Sequence, residues 1–167
     1  MTDRLRKQLA FILELDQEKN ILRQTHLSNH GRRENDAEHA WHMAIMAYLL
    51  QEYSNAPIDV AKVMLMCLLH DVVEIDAGDT YAYDEKGKET QKARETAESK
   101  FAHAMDNLQP LLLNDSNNGG DWKAHRVTAE QVYGRQSQTK DGSEVLFEWT
   151  DAVIQKNIAA GNIQKES

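Results

Sequence analysis

A histidine and an aspartate directly follow a strongly apolar segment of this chain. The apolar run extends from Val63 to Leu69, and His70-Asp71 comes next. Burying an imidazole beside a carboxylate costs several kcal/mol unless both groups are paired or bind a cation. The simplest explanation for this pair at the end of a buried helix is a bound metal ion. Two further candidate ligands, His39 and Asp106, complete the order H, HD, D along the chain.

Length and charge limit the classes of protein to consider. A chain of 167 residues is long enough for one domain with a sizeable core, and we predict a single domain over residues 1–167. The 19 basic and 27 acidic residues give a net charge of -8, which argues against a nucleic acid polymer as the partner. A small anionic substrate is compatible with this charge if arginines are concentrated locally.

Cysteine usage and hydropathy indicate where such a protein works. Cys67 is the only cysteine in the sequence, so there is no disulfide framework and no cysteine-rich zinc module, and we expect a cytoplasmic protein. No apolar stretch approaches the roughly 18 residues of a membrane span, and residues 1–15 lack the pattern of a signal peptide. We therefore expect neither a membrane partner nor export.

The residue pattern predicts an all-α protein, a compact bundle of about six helices with no convincing strand. The two prolines, eight glycines and few β-branched alternations favour helices. Predicted helices begin after Thr2, at Asn35 and near Pro57, and others cover about 89–107, 122–136 and 143–160. Gly78 is expected to end the third of them, and Pro110 to limit the fourth. Residues 16–34 and 114–121 are expected to be irregular.

The pattern supports the candidate ligands to different degrees. His39 shares one helical face with Met43, Met46 and Leu50, so its imidazole is expected to face the core. A lone histidine at such a position is more often a hydrogen-bonded core residue, but the His70-Asp71 pair reverses that ranking. For Asp106, which lies beside the apolar stripe of its helix, the alternative is an ordinary solvated carboxylate.

Two imidazoles and two carboxylates form a site suited to Mn, Fe, Co, Ni or Zn, and less suited to Ca or Mg. With four protein ligands in an octahedral shell, two positions stay open for water and for a substrate oxygen. An ion in that state lowers the pKa of bound water and polarises a phosphoryl group, which is the basis of metal-assisted hydrolysis. Glu74, four residues after His70, is predicted to lie one helical turn further along the same face.

The order H, HD, D resembles that of the HD-domain metal-dependent phosphohydrolases. Arg23, the segment 33–42 (RENDAEHAWH) and the segment 70–80 (HDVVEIDAGDT) resemble the 5'-deoxynucleotidase branch of that family more closely. The resemblance extends from about Leu9 to the C-terminus. It implies an all-helical domain with one divalent metal ion that releases phosphate from deoxyribonucleoside 5'-monophosphates by attack of metal-activated water. It also implies frequent homodimers.

The same resemblance assigns roles to individual residues. The metal ligands would be His39, His70, Asp71 and Asp106. Arg23 would contact the substrate phosphate, Glu74 would position a reactant or transfer a proton, and Asp79 would lie near the sugar or the leaving oxygen. Arg33 is a second candidate for substrate binding, because it belongs to the same local basic cluster. A solvated loop charge is about as good an interpretation of Arg33 as a substrate role.

One departure from the family concerns the region around Thr96. Members usually have another helix, with a Leu-Trp and Glu-rich pattern, between the charged helix and the segment that carries the last ligand. Here ARET at 93–96 runs almost directly into AESKF at 97–101. That helix is missing near 96–97, either by a natural deletion or because its residues are not part of this sequence.

Two other functions therefore stay open. The first is an HD hydrolase that acts on another nucleotide ester or anhydride, such as an alarmone or a nucleoside triphosphate. The chain lacks an obvious further acidic pair for a second metal, which weakens a pyrophosphohydrolase interpretation. The second is a catalytically degenerate HD protein that binds a nucleotide or a partner without turnover, which the missing helix motivates.

Overall fold

The structure is a computed structural model that describes residues 2–28, 30–72, 75 and 95–165. It confirms the predicted all-α class, because helices dominate the described residues. The helices are α1 (Asp3–Leu15), α2 (Asp36–Leu50), α3 (Val60–Leu69), α4 (Ala97–Ser116), α5 (Gly120–Ala124), α6 (Ala129–Gln136), α7 (Thr139–Gly142) and α8 (Glu144–Ala159). Short 3-10 segments, Asp16–Asn20 and Gln51–Tyr53, follow α1 and α2. In the described part of the chain, no helix is long and apolar enough to cross a membrane.

A short antiparallel hairpin precedes α2, and the sequence did not predict it. Strand β1 (Leu22–His26) pairs with β2 (Arg33–Asn35), and His26 lies opposite Arg33. The prediction of an irregular segment without strands is therefore wrong here. One reason is that the hairpin is held by a residue far along the chain: the carboxylate of Asp121 accepts a hydrogen bond from the backbone N–H of His26 (3.0 Å).

Helix α2 begins where the sequence predicted, because Asn35 and Glu38 form a capping box. Its inner face buries His39, Met43 and Met46, as their spacing indicated. Its outer face carries a stripe of exposed apolar side chains, which are Trp41, Ile45, Tyr48 and Leu49.

Helix α3 ends earlier than predicted. It ends at Leu69, whereas Gly78, the predicted end, lies outside the described residues. The side chain of His70 contributes to this end, because its Nδ1 donates to the carbonyl of Cys67 (2.8 Å). A continuing α-helix would pair that carbonyl with the backbone N–H four residues later.

Helix α3 is enclosed on one face only. Val63 and Cys67 are fully buried, but Leu65 is 55% exposed, and Leu68 and Leu69 are exposed as well. The apolar run from Val63 to Leu69 therefore does not reflect burial on every side of the helix.

Helix α4 differs at both ends from the predicted helix 89–107. It begins at Ala97 with Thr96 as its N-cap, and residues 89–94 lie outside the described part. At the other end it continues to Ser116, so that only a short turn separates it from α5. The predicted loop over 114–121 is wrong at both ends, because residues 114–116 belong to α4 and residues 120–121 belong to α5.

Pro110 lies inside α4 without ending it. Proline has no N–H for the carbonyl of Asp106, which lies four residues earlier in the helix. Nη2 of Arg135 lies 3.4 Å from that carbonyl oxygen and supplies a donor from another helix. The prediction that Pro110 limits the helix is therefore wrong, and the compensating donor comes from tertiary structure.

The C-terminal part of the chain follows the prediction in outline. Segment 122–136 is divided, because Thr128 starts a new helix with a capping box. Helix α8 begins directly after Ser143, as predicted, and buries Leu146, Val153 and Ile154. Trp149 on the same helix is 43% exposed.

The hydrophobic core joins α2, α3 and α4 with the C-terminal helices. Its largest fully buried apolar side chains include Met43, Phe101, Met105, Leu108 and Ile154. Helices α2, α3 and α4 pack against one another. This packing brings His39, His70-Asp71 and Asp106 close together.

Candidate metal centre

Four predicted ligands converge between α2, α3 and α4. One donor atom each from His39, His70 and Asp71 lies within 4.8 Å of the other two. Oδ1 of Asp106 lies 3.3 Å from Nε2 of His39 and 3.9 Å from Nε2 of His70. The structure thus brings together all four residues of the H, HD, D pattern, and their role as ligands stays a prediction.

The ring of His70 is oriented by a backbone hydrogen bond. Its Nδ1 donates to the carbonyl of Cys67, so Nε2 faces the other candidate ligands. Nε2 is buried and has no hydrogen-bond partner in the described structure, although Oδ2 of Asp71 lies 2.9 Å away. In a metal-binding histidine, the nitrogen that does not bind the metal usually donates its N–H to a carbonyl or carboxylate, as Nδ1 of His70 does. The residues present therefore fit a divalent ion.

The charges around His70 also favour a cation. Burial by itself lowers the pKa of the imidazole, but the carboxylates of Asp71 and Asp106 outweigh burial and raise the pKa to about 9. The negative charge of these carboxylates, which favours an extra proton on the imidazole, would attract a metal cation as well. Because a histidine ligand must be neutral, metal binding would displace that proton.

Arg23 reaches the site from β1. Its Nη1 donates to Oδ2 of Asp71 (2.9 Å) and to Oδ1 of Asp36 (3.0 Å). Burial raises the pKa of Asp71, but His70 and Arg23 outweigh that effect and lower the pKa overall. The predicted phosphate-binding arginine therefore lies beside a candidate metal ligand, with its side chain only 11% exposed.

Asp106 is surrounded by donors on three sides. Oδ2 lies 3.5 Å from Nδ1 of His103, and Oδ1 lies 3.6 Å from Nη2 of Arg135 as well as near His39. Burial raises the pKa of this carboxyl, but His103, His39 and Arg135 together hold the pKa well below its ordinary value. Asp106 is consequently an ionised carboxylate at neutral pH, as a metal ligand must be.

The other side of the His39 ring contacts buried polar groups. Nδ1 lies 3.0 Å from Oε1 of Gln109, and Nε2 of Gln109 donates to Oε1 of Glu34 (2.6 Å). The same amide nitrogen lies 3.2 Å from Nδ1 of His42. Burial lowers the pKa of His42, which favours its neutral form.

The remaining predicted site residues are Glu74, Asp79 and Arg33. Glu74 and Asp79 lie outside the described residues. Arg33 is exposed at the start of β2, and no described contact joins it to the four candidate ligands. Its neighbour Arg32 pairs with Glu38 at the surface.

Sequence reasoning missed four residues at this site: Glu34, Asp36, Gln109 and Arg135. Glu34 and Asp36 belong to the motif that ends in His39, so their closeness in sequence was a usable signal. Gln109 follows Asp106 by three residues, and such helical neighbours share a face. Nothing near Arg135 in the sequence pointed to the site.

Glu18 is a buried acid close to this charge cluster. It is 7% exposed, and its Oε1 has no hydrogen-bond partner in the described structure. Burial and the negative charges of Asp36 and Asp71 raise the pKa of Glu18, against a smaller opposing effect of His70. An ionised Glu18 therefore costs free energy in the folded state.

We expect Glu18→Leu to raise the free energy of unfolding of metal-free protein at pH 7 by about 1–3 kcal/mol. Because the folded-state pKa is raised, this gain should shrink as the pH falls through that raised value towards the ordinary value of 4.5, below which Glu18 is protonated in both states. Urea unfolding followed by circular dichroism at pH 7 and pH 4 measures both quantities. Glu18→Gln separates the loss of charge from the loss of the polar group, and a lower stability of both variants at pH 7 would contradict the prediction.

The chain was compared with known protein families and with solved structures. The family described as HD domain matches residues 15–97 and 91–146. The two matched parts meet at 91–97, the place where the sequence indicated a missing helix.

A solved crystal structure closely resembles this chain. It is that of a protein from Magnetospirillum magnetotacticum MS-1, described as a predicted metal-dependent phosphohydrolase. The two chains are 40% identical, the alignment covers 96% of each, and the TM-score is 0.91. No curated protein sequence gives a match.

Proposed function

The chain belongs to the HD domain family, and on that basis we propose that it is a metal-dependent phosphohydrolase that acts on deoxyribonucleoside 5'-monophosphates. The general activity is supported by the family and by the similar structure described as a predicted metal-dependent phosphohydrolase. The substrate class is supported by the two motifs, 33–42 and 70–80, that resemble the 5'-deoxynucleotidase branch.

The convergence of His39, His70 and Asp71 within 4.8 Å, with Asp106 beside them, carries this proposal. Their nitrogen and oxygen donors suit one Mn, Co, Fe, Ni or Zn ion. Such an ion would lower the pKa of water and polarise the phosphoryl group of a substrate. Within the described residues, no second group of three such side chains lies close enough together to hold another ion.

Arginines next to the candidate ligands supply the positive charge that a phosphate needs. Arg23 contacts Asp71, and Arg135 lies beside Asp106. A guanidinium group binds phosphate oxygens through several directed N–H donors. We propose Arg23 as the phosphate contact and Arg135 as a second cation at the same site. Arg33, which is exposed, is a weaker candidate.

Two predicted catalytic residues complete the proposal. Glu74 would transfer a proton or position a reactant, and Asp79 would contact the sugar or the leaving oxygen. Both assignments rest on the resemblance of the segment 70–80 to the 5'-deoxynucleotidase branch.

We expect metal-depleted protein to regain phosphate release from deoxyribonucleoside 5'-monophosphates when Mn²⁺ or Co²⁺ is added. The measurement is inorganic phosphate released from a panel of 5'-deoxy- and 5'-ribonucleoside monophosphates, 3'-monophosphates, nucleoside triphosphates and alarmones. Faster release from the deoxyribonucleoside 5'-monophosphates is the expected result. Preferential cleavage of an anhydride would replace the proposed substrate class, and nucleotide binding without release in any metal would indicate a degenerate protein.

We also propose that the protein forms homodimers, as the family resemblance implied. The exposed stripe of Trp41, Ile45, Tyr48 and Leu49 on α2 is consistent with an interface. Contiguous exposed apolar surface of this kind is typical of sites where proteins associate.

A further inference from the structure

A buried chain of polar groups lies behind His39. Gln109 bonds to Nδ1 of His39 through Oε1 (3.0 Å) and to Glu34 through Nε2 (2.6 Å). His39 and Gln109 are 0% exposed and Glu34 is 1% exposed. The opposite ring nitrogen, Nε2, faces Asp106 at 3.3 Å.

Glu34, at one end of this series of polar groups, indicates how the amide of Gln109 is oriented. The group of Gln109 that faces Glu34 is the NH₂ group, because its Nε2 donates to a carboxylate oxygen there (2.6 Å). The contact with His42 is compatible with this orientation, because Nδ1 of His42 lies 3.2 Å from the same nitrogen and a neutral imidazole can accept there. The amide oxygen of Gln109 is then the atom that faces His39.

An amide oxygen can only accept, so Nδ1 of His39 donates to Gln109. The other ring nitrogen, Nε2, faces Asp106 on the side of the candidate metal ligands and is the nitrogen whose lone pair a metal would use. A ring whose only proton is on Nε2 would place an N–H where a metal needs a lone pair. The hydrogen bond to Gln109 thus keeps a proton on Nδ1 and leaves Nε2 for the metal.

We propose that Glu34 and Gln109 are positioning residues that hold His39 in the Nδ1–H tautomer and so present its Nε2 to the metal. This inference rests on the proposed function only in that the site binds a divalent ion. Neither residue contacts the substrate or the metal in this role.

The second oxygen of Glu34 argues against a purely structural role. Oε2 is buried without a hydrogen-bond partner in the described structure and lies 3.6 Å from Nδ1 of His39. A buried carboxylate that leaves one oxygen unpaired is costly for a core, where a neutral amide would serve as well. Its negative charge beside the N–H makes Nε2 a better electron donor to a cation.

The test compares three variants with the wild-type protein. Gln109→Leu removes both hydrogen bonds of the amide. The double variant Gln109→Glu with Glu34→Gln exchanges carboxylate and amide, so that an acceptor still faces His39. Asn157→Leu is the matched control, because Asn157 is another fully buried amide, whose hydrogen bonds go to Asp115, Val153 and Asn162.

Two quantities are measured on the folded proteins. The ¹⁵N chemical shifts of His39 in metal-free protein report which ring nitrogens carry a proton, and they are assigned by their loss in a His39→Asn variant. Calorimetric titration with Mn²⁺ reports metal affinity. For Gln109→Leu we expect mixed His39 tautomers and an affinity about 10–100-fold lower. The exchanged pair should restore the Nδ1–H tautomer and most of the affinity, while Asn157→Leu should change neither.

An unchanged His39 tautomer and unchanged Mn²⁺ affinity in Gln109→Leu would overturn the inference. If that variant fails to fold, the exchanged pair decides, since a wild-type tautomer and affinity there support the inference and an altered tautomer contradicts it. The tautomer is recorded without metal or substrate. A wild-type protein that releases no phosphate would therefore overturn the proposed function and leave this inference standing.

Discussion

His70→Ala is expected to abolish detectable metal binding and to lower phosphate release by about 1000-fold. The substitution removes the buried Nε2 from the cluster of candidate ligands. A metal contributes several kcal/mol of transition-state stabilisation, and losing about 4 kcal/mol corresponds to this factor in rate. Phosphate release with saturating Mn²⁺ and calorimetric titration of Mn²⁺ measure the two effects.

His125→Ala is a suitable control, because His125 is an exposed histidine at the end of α5 and outside the candidate site. It should retain wild-type activity and affinity. Full activity of His70→Ala would remove the metal site from the mechanism altogether.

The variant His70→Ala also tests the charge balance of the site. The folded-state pKa of His70, about 9, lies above its ordinary value of 6.5. A raised pKa stabilises the fold below pH 6.5, and this contribution is lost as the pH rises through 9. The stability advantage of metal-free wild type over His70→Ala should therefore decrease between pH 6.5 and 9. A constant difference across that range in urea unfolding would show that His70 is not protonated in the metal-free site.

Arg23→Met is expected to lower the free energy of unfolding of metal-free protein by about 3 kcal/mol. The substitution keeps much of the side-chain length but removes the charge that contacts Asp36, which is fully buried, and Asp71. Removing one partner of a buried ion pair leaves an uncompensated charge, which typically costs about 3–5 kcal/mol. Phosphate release should fall as well, by about 100-fold, because the substrate phosphate loses its proposed cation.

Urea unfolding monitored by circular dichroism measures the stability change. Arg4→Met, an exposed position on α1, should change stability by no more than about 0.5 kcal/mol. Adding Asp36→Asn to Arg23→Met should recover part of the loss, because the two residues are in contact. Wild-type stability of Arg23→Met would show that the ion pair contributes nothing to the fold.

The candidate ligands were predictable because their signals are local. His70-Asp71 follows an apolar run, and His39 shares a helical face with Met43 and Met46, so both positions follow from spacing. Asp106 was ambiguous from spacing alone, and a solvated carboxylate was a fair alternative. Its closeness to His39 and His70 depends on how α4 packs against α2 and α3.

The hairpin and the course of α4 were not predictable for a common reason. The hairpin is held by Asp121, and Pro110 is tolerated because Arg135 reaches the carbonyl of Asp106. These partners lie on other elements and at large separations along the chain. Local propensity therefore indicated an irregular segment and a helix end, and tertiary hydrogen bonds overrode both.

By itself, the sequence determined the helical class, the N-caps at Thr2, Asn35 and Ser143, and the residue types of the candidate site. Each of these depends on groups within a turn or two of one another. Only the tertiary structure decided which nitrogen of His39 faces the site, which carboxylates are ionised, and which arginines accompany them. Burial and electrostatic interaction depend on groups that other helices bring into contact, and no local pattern contains them.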